Sequence, residues 1–163
     1  MNIAVLDLET TGLDPEQDEI LEIAIVDENG DPMLNTLVRP VRHQEWPDAQ
    51  RIHGISPADV EHAPTLADLT QQIRDSVEGR TVIIYNADFD AAFLEGYLDC
   101  AADIRCCMEA YSDYRVDRYG EEWRRHKLVM AAYDAEHDWG QDAAHRAIHD
   151  AAATLSVWQF LSR

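Results

Sequence analysis

The chain has 163 residues, of which 46% are hydrophobic and 28% charged, and its formal net charge is −19. A chain of this size can bury a core as one domain without disulfides, and the composition excludes disorder as the default state. The charge excludes a broad basic surface that neutralises phosphates along a nucleic acid, except where carboxylates are spent on holding divalent cations.

In chain order, residues 2–9 alternate and are rich in aliphatic side chains, which predicts a strand. Residues 20–27 predict a second strand, followed at once by Asn29-Gly30, a strong hairpin signal. A third strand runs over 33–39 and is stopped by Pro40. Three strands with short turns predict an antiparallel meander. Ser56-Pro57-Ala58-Asp59 then predicts a helix cap with proline in the first turn. Thr65 starts a helix with Leu66, Leu69, Ile73 and Val77 on one face and Gly79 at its end. Residues 81–85 predict a short β-branched strand, 89–98 a helix and 104–108 a fifth, weaker strand. Helices are predicted over 121–136 and 142–161, the latter with Ala147, Ala151, Leu155 and Trp158 along one stripe. The order predicts an α/β fold occupying residues 1–163 as a single domain, with a mixed sheet flanked by helices.

The three cysteines, Cys100, Cys106 and Cys107, are odd in number and contain no Cys-x-x-Cys pair. They predict buried or half-buried thiols rather than a disulfide framework or a zinc knuckle. No apolar run approaches the roughly 18 residues that a membrane helix needs. The first residues enter a strand without a signal-peptide pattern, so the expected compartment is the cytoplasm.

Asp7 and Glu9 sit two apart on the first strand and therefore share a face. Under a layer of helices, two unpaired carboxylates would be costly, and a divalent cation would offset that cost. On these two residues alone, a second reading stands equal: solvated or arginine-paired acids at a strand end.

The surrounding residues tip that balance. Leu6-Asp7-Leu8-Glu9-Thr10-Thr11-Gly12-Leu13 resembles the first motif of the DnaQ-like exonucleases with four acidic residues and a histidine, the DEDDh group. Arg51-Ile52-His53-Gly54-Ile55-Ser56 resembles the family's His-Gly-Ile loop. Tyr85-Asn86-Ala87-Asp88-Phe89-Asp90 resembles its second motif. His145-Arg146-Ala147-Ile148-His149-Asp150-Ala151 resembles its third. The four motifs stand in the family's order and span most of the chain, which makes chance agreement improbable.

The resemblance implies an RNase H-like fold with a five-stranded mixed sheet, a three-stranded antiparallel meander plus parallel strands. It implies a 3′–5′ exonuclease that removes nucleoside 5′-monophosphates from the 3′ end of single-stranded DNA or RNA. It further implies two divalent cations, Mg2+ or Mn2+, held by Asp7, Glu9, Asp90 and Asp150, with His145 as general base. Thr10 and Leu13 are implied to lie against the terminal nucleotide, with His53, Asn86 and Phe89 lining the same cleft. A polymerase or another nucleic-acid-processing protein is a compatible partner, and no membrane is implied.

The chemistry suits these residue types. Phosphodiester hydrolysis builds negative charge on both the attacking and the leaving oxygen, and two cations about 3.5–4 Å apart stabilise both. Histidine as a residue type titrates near neutrality and suits proton removal from water. His145 and His149 are one helical turn apart, and their spacing also fits a zinc pair, although no Glu follows the first His as in zinc proteases. The resemblance assigns the base to His145, in or near the loop before the last helix, and leaves His149 to the surface or to packing. For Phe89 the plainer reading is a core residue, and for His53 a backbone hydrogen bond.

The segment from Arg105 to Lys127 interleaves Tyr111, Tyr114, Tyr119 and Trp123 with arginines. It reads equally as a single-strand track or as a solvated amphipathic helix. Two alternatives to the leading function remain at this stage: an RNA-trimming exoribonuclease of the same fold, and a non-catalytic nucleic-acid-binding or recruitment module. No glycine-rich phosphate loop supports an unrelated nucleotide-binding protein.

Overall fold

The computed structural model describes residues 2–140 and 145–163. Five strands form one sheet in the order β3-β2-β1-β4-β5. β1 (Ile3–Thr10), β2 (Ile20–Asp27) and β3 (Pro32–Leu37) make the expected antiparallel meander. β4 (Thr81–Ile84) and β5 (Asp103–Cys106) add parallel strands on the other side of β1. Gly30 closes the β2–β3 hairpin at φ +88°, a conformation that favours glycine.

Strand alternation divides the sheet between two cores. Ile3, Val5, Ala24, Val26 and Ile83 face one side, under α5 (Cys107–Tyr119), α6 (Leu128–Asp134) and α7 (Ala147–Leu161). Ala4, Leu6, Leu8, Ile23, Ile25 and Ile84 face the other, under α3 (Thr70–Val77) and α4 (Ala87–Phe93). On α7, Ala147, Ala151 and Thr154 are fully buried, and their small side chains let the helix lie close on β1 and β2. Among the described residues, no helix is long and apolar enough to cross a membrane. All three thiols are free, with Cys107 buried.

Several elements differ from their sequence expectations. A short helix not predicted at all, α1 (Pro47–His53), starts with Pro47 and ends at Gly54 with φ +75°. His53 therefore closes a helix rather than standing in a loop. α2 (Pro57–Val60) has the full capping box between Ser56 and Asp59 that its sequence announced. The helix expected from Thr65 opens with a 3-10 turn, Ala67–Leu69, before α3. The helix expected over 89–98 starts earlier and is shorter, ending at Phe93. β5 stops at Cys106 because Cys107 already begins α5.

The helix expected over 121–136 contracts to α6. Gly120, at φ +67°, ends α5 by returning its amide to Val116 O, and residues 120–127 run on without helix. The last helix, expected over 142–161, begins at Ala147. Residues 142–144 of that expectation lie outside the described residues, and His145 and Arg146 are not helical.

Candidate active site

β1 is the central strand, and its carboxyl end opens beside that of β4, with α4 following directly. Crevices at the carboxyl ends of parallel strands are where α/β sheets gather functional groups. Asp7 and Glu9 occupy the face of β1 shared with Ile3 and Val5, so they point toward α7. Ala24 lies opposite Asp7 across the β1–β2 ladder and leaves room for its carboxylate. From α7, Asp150 sits on the turn that buries Ala147 and Ala151, and thus faces the same strand.

Carboxylate oxygens of Asp7, Glu9 and Asp150 all lie within 4.8 Å of one another. Asp90, in the first turn of α4, is 5% exposed and stands outside that tight group, yet its charge is felt by both Asp7 and Glu9. The electrostatics are those of acids confined together. Burial first, then the charges of Asp90, Asp150, Glu9 and Glu22, holds Asp7 well above the usual carboxylate range. Glu9 is pushed up to about 8 by burial, then by Asp150, Glu22 and Asp90, with Arg146 opposing. Burial raises Asp90 to about 7 despite backbone hydrogen bonds from its own amide and from Leu8. Asp150 is raised by burial and moderated by His145 and His149. Such a donor set, all hard oxygens with three of them close enough to share an ion, fits a hard divalent cation rather than a soft metal.

His145 precedes α7 and is exposed. Its φ of +77° is a left-handed conformation uncommon outside glycine, of the kind found at functional sites. Its amide donates a long hydrogen bond, 3.4 Å, to Asp150 Oδ1. His149 is half-buried on α7, and its charge reaches both Asp150 and His137.

Sequence reasoning missed the clamp beneath His145. Glu22 lies directly across from Glu9 on β2 and is 2% exposed. The Arg146 guanidinium grips it, with Nη2 2.6 Å from Oε1 and Nε 3.1 Å from both oxygens. The Ala147 amide donates to its other oxygen at 3.0 Å. A charge in the middle of the apolar run Ile20-Leu21-Glu22-Ile23-Ala24-Ile25 was the available signal, since a buried acid demands a partner.

Beside the carboxylates is a cleft of about 470 Å³ lined by Thr10, Leu13, Ile52, His53 and Phe89 among others. Leu13 is 84% exposed at its mouth. Thr10 is buried, and its hydroxyl donates to Gly12 O at 2.6 Å. Gly12 is required there: a Cβ would stand 2.3 Å from Asp18 Oδ2. The Asp18 carboxylate cannot easily retreat, because it accepts from the Thr11 hydroxyl and the Asp14 amide. His53 lines the cleft with its ring edge engaged. Nε2 donates to Thr10 O at 3.1 Å, while Nδ1 accepts from the Ile55 amide at 3.0 Å. That arrangement is a neutral imidazole, in keeping with burial holding its pKa below the ordinary value. The backbone hydrogen bond and the cleft-lining position of His53 are thus both real. Phe89 is half-buried and packs on Phe93 at 5.0 Å between ring centroids, so it serves packing and cleft together. Asn86 caps no helix amide and is not among the cleft-lining residues; its Oδ1 is buried without a hydrogen-bond partner.

Comparison with known proteins gives the family of the chain. Residues 4–158 match the RNase T family, described as exonuclease. An uncharacterized exonuclease, CP81, of Escherichia phage 186 is 34% identical over 97% of this chain and 87% of its own. The DNA polymerase III epsilon subunit of Treponema pallidum is 28% identical over 93% of this chain and 72% of its own length. The PolC-type DNA polymerase III of Thermotoga maritima is 34% identical over 94% of this chain, which spans only 11% of that polymerase. Among solved structures, exonuclease X in complex with 5′-overhanging duplex DNA superposes with a TM-score of 0.72 at 26% identity, covering 98% of this chain and 90% of that one. E. coli exonuclease I in complex with a dT13 oligonucleotide gives 0.80 at 18% identity over 98% of this chain and 40% of that one, a likeness of fold. The chain belongs to the RNase T exonuclease family, the DnaQ-like 3′–5′ exonucleases of RNase H-like fold, and is an enzyme acting on nucleic acids.

Proposed function

We propose that the chain removes nucleoside 5′-monophosphates one at a time from the 3′ end of single-stranded DNA or RNA, using two divalent cations. The observation that carries this reading is the approach of Asp7, Glu9 and Asp150 oxygens within 4.8 Å, beside a cleft large enough for a terminal nucleotide. Asp7, Glu9, Asp150 and Asp90 would hold the ions, Mg2+ or Mn2+. Bound there, they would supply positive charge to the attacking and leaving oxygens of the phosphodiester.

The protein's own groups divide the remaining work. Leu13, Ile52 and Phe89 offer apolar surface against a base without hydrogen-bond readout, which suits removal of any nucleotide. Thr10 and His53, bonded to each other through the Thr10 carbonyl, fix the wall of the cleft. His145 accepts a proton from the attacking water; its exposure lets it pass the proton to solvent before the next cycle. The Glu22–Arg146 clamp holds the backbone on which His145 is carried. DNA in the exonuclease X and exonuclease I structures supports a DNA substrate here. Intact acids and histidine speak against a non-catalytic module.

The test uses matched DNA and RNA oligonucleotides labelled at the 5′ end, with magnesium or manganese. A ladder shortening stepwise from the 3′ end, with nucleoside 5′-monophosphates as product, is expected. No product from either polymer with either metal would overturn the proposal.

A further inference from the structure

Residues 120–127 form a strap between α5 and α6 that contains Trp123-Arg124-Arg125-His126-Lys127 and no acid in that run. In a chain of net charge −19 with 13 Lys and Arg in all, Arg124-Arg125 is the only pair of adjacent cations. Within the strap Arg124 Nη2 comes within 3.9 Å of Glu121 Oε2, a contact that leaves its side chain mostly exposed, whereas neighbouring cations are tied to acids more closely. Arg105 is paired with Asp103 on β5. Arg115 is committed inward to Asp134 and Glu121 and lies over the Tyr119 ring at 4.6 Å.

The strap is anchored from beneath. The Tyr85 hydroxyl donates to His126 O at 2.9 Å, and the buried His126 ring meets Tyr111 edge-on at 5.3 Å. The Trp123 indole donates to Asp113 Oδ1 at 3.0 Å, leaving the ring 51% exposed. With His126 turned inward, Arg124, Arg125 and Lys127 are all exposed. Arg125 Nη2 lies 2.9 Å from Asp88 Oδ2, one residue before Phe89 of the cleft and two before Asp90. The basic strap is thereby tied to the first turn of α4, which also carries Phe89 of the cleft.

We propose that this strap carries the part of a single strand that lies upstream of the nucleotide being removed. Arg124, Arg125 and Lys127 would meet successive phosphates and Trp123 would stack on a base. The proposal rests on the exonuclease reading of the carboxylate site and adds the path of the substrate to it. Fixed, outward cations beside an aromatic ring suit an irregular polyanion read without sequence preference. An orderly strap also binds with less loss of freedom than a mobile basic loop would.

The experiment compares kcat/KM on a dinucleotide and on a 12-nucleotide single strand, across a salt series. The proteins are the wild type and an Arg124→Gln, Arg125→Gln, Lys127→Gln triple variant; Lys127→Gln alone guards against misfolding of the triple variant. The wild type is expected to favour the longer strand. In the triple variant the ratio of the two kcat/KM values should fall about tenfold, and the log–log salt slope of oligonucleotide binding should shrink by about 2. A wild type that degrades both substrates beside a triple variant with unchanged ratio and slope would overturn the strap and point it toward an acidic protein instead. A wild type that degrades neither would overturn the exonuclease reading itself.

Discussion

Burial and like charge lift Glu9 to about 8 and Asp90 to about 7, so these acids sit at positions that packing alone would never favour. Residues held against their own electrostatics are candidates for chemistry, and the left-handed backbone of His145 belongs with them. The two histidines that the sequence placed one helical turn apart differ in setting, His145 exposed before α7 and His149 half-buried on it. His145→Ala is expected to fold normally and to lose ~10²–10⁴-fold in single-turnover rate. His149→Ala, on the half-buried side of α7, is expected to stay within a few-fold of wild type. Single-turnover kinetics on one labelled oligonucleotide would check both, and the reverse order of effects would move the base to His149.

At the scale of elements, α7 is the part that must be placed most accurately, because it brings Asp150 to β1 and carries His145 at its entrance. Small residues on its inner face set the distance, and Glu22 holding Arg146 and the Ala147 amide sets the angle of entry. Arg146→Ala would leave a buried carboxylate with one backbone donor. The arginine is half-exposed, so the loss is expected at about 2–3 kcal/mol by denaturant unfolding, below the full cost of a broken buried pair. Adding Glu22→Gln to that variant should recover part of the stability. A double variant no more stable than Arg146→Ala would deny the clamp its role.

Much of this scale was legible in the sequence. The meander follows from alternation and turn residues and the mixed sheet from the order of elements, while the parallel strands and the gathered acids follow from the resemblance carried by the motifs. The rest was not legible for identifiable reasons. α1 is too short for a periodic signal and is marked only by Pro47 and Gly54. The expected helix over 121–136 failed because Gly120 ended α5 first and the following residues found partners in Tyr85, Asp113 and Asp88 from elsewhere in the fold. The Glu22–Arg146 pair spans 124 positions, beyond any local pattern.

For the whole molecule, the gathered acids make stability depend on pH. Their folded pKa values are raised, so between roughly pH 4.5 and 8 the folded chain keeps protons that the unfolded chain has released. Without metal, stability should be fullest at the acid end of that window and fall as pH rises through it. Melting curves of the metal-free protein at intervals across this range would check the sign; a melting temperature that climbed toward the alkaline end would refute it. Bound cations should flatten the slope, since they favour the ionised acids. The −19 charge fits the proposal too: grip on a nucleic acid would be left to the metal site, the cleft and the strap rather than to the surface at large.

On the proposed function, Asp7 and its neighbours are brought together, at a cost in stability, to hold divalent cations. The most direct measurement is thermal melting of the wild type and Asp7→Asn near pH 8, each with and without manganese or magnesium. Saturating metal is expected to raise the wild type by about 5–10 °C. Asp7→Asn is expected to melt higher than the wild type without metal and to gain little when metal is added. An Asp7→Asn variant that melts no higher than the metal-free wild type and responds to metal as the wild type does would contradict this role.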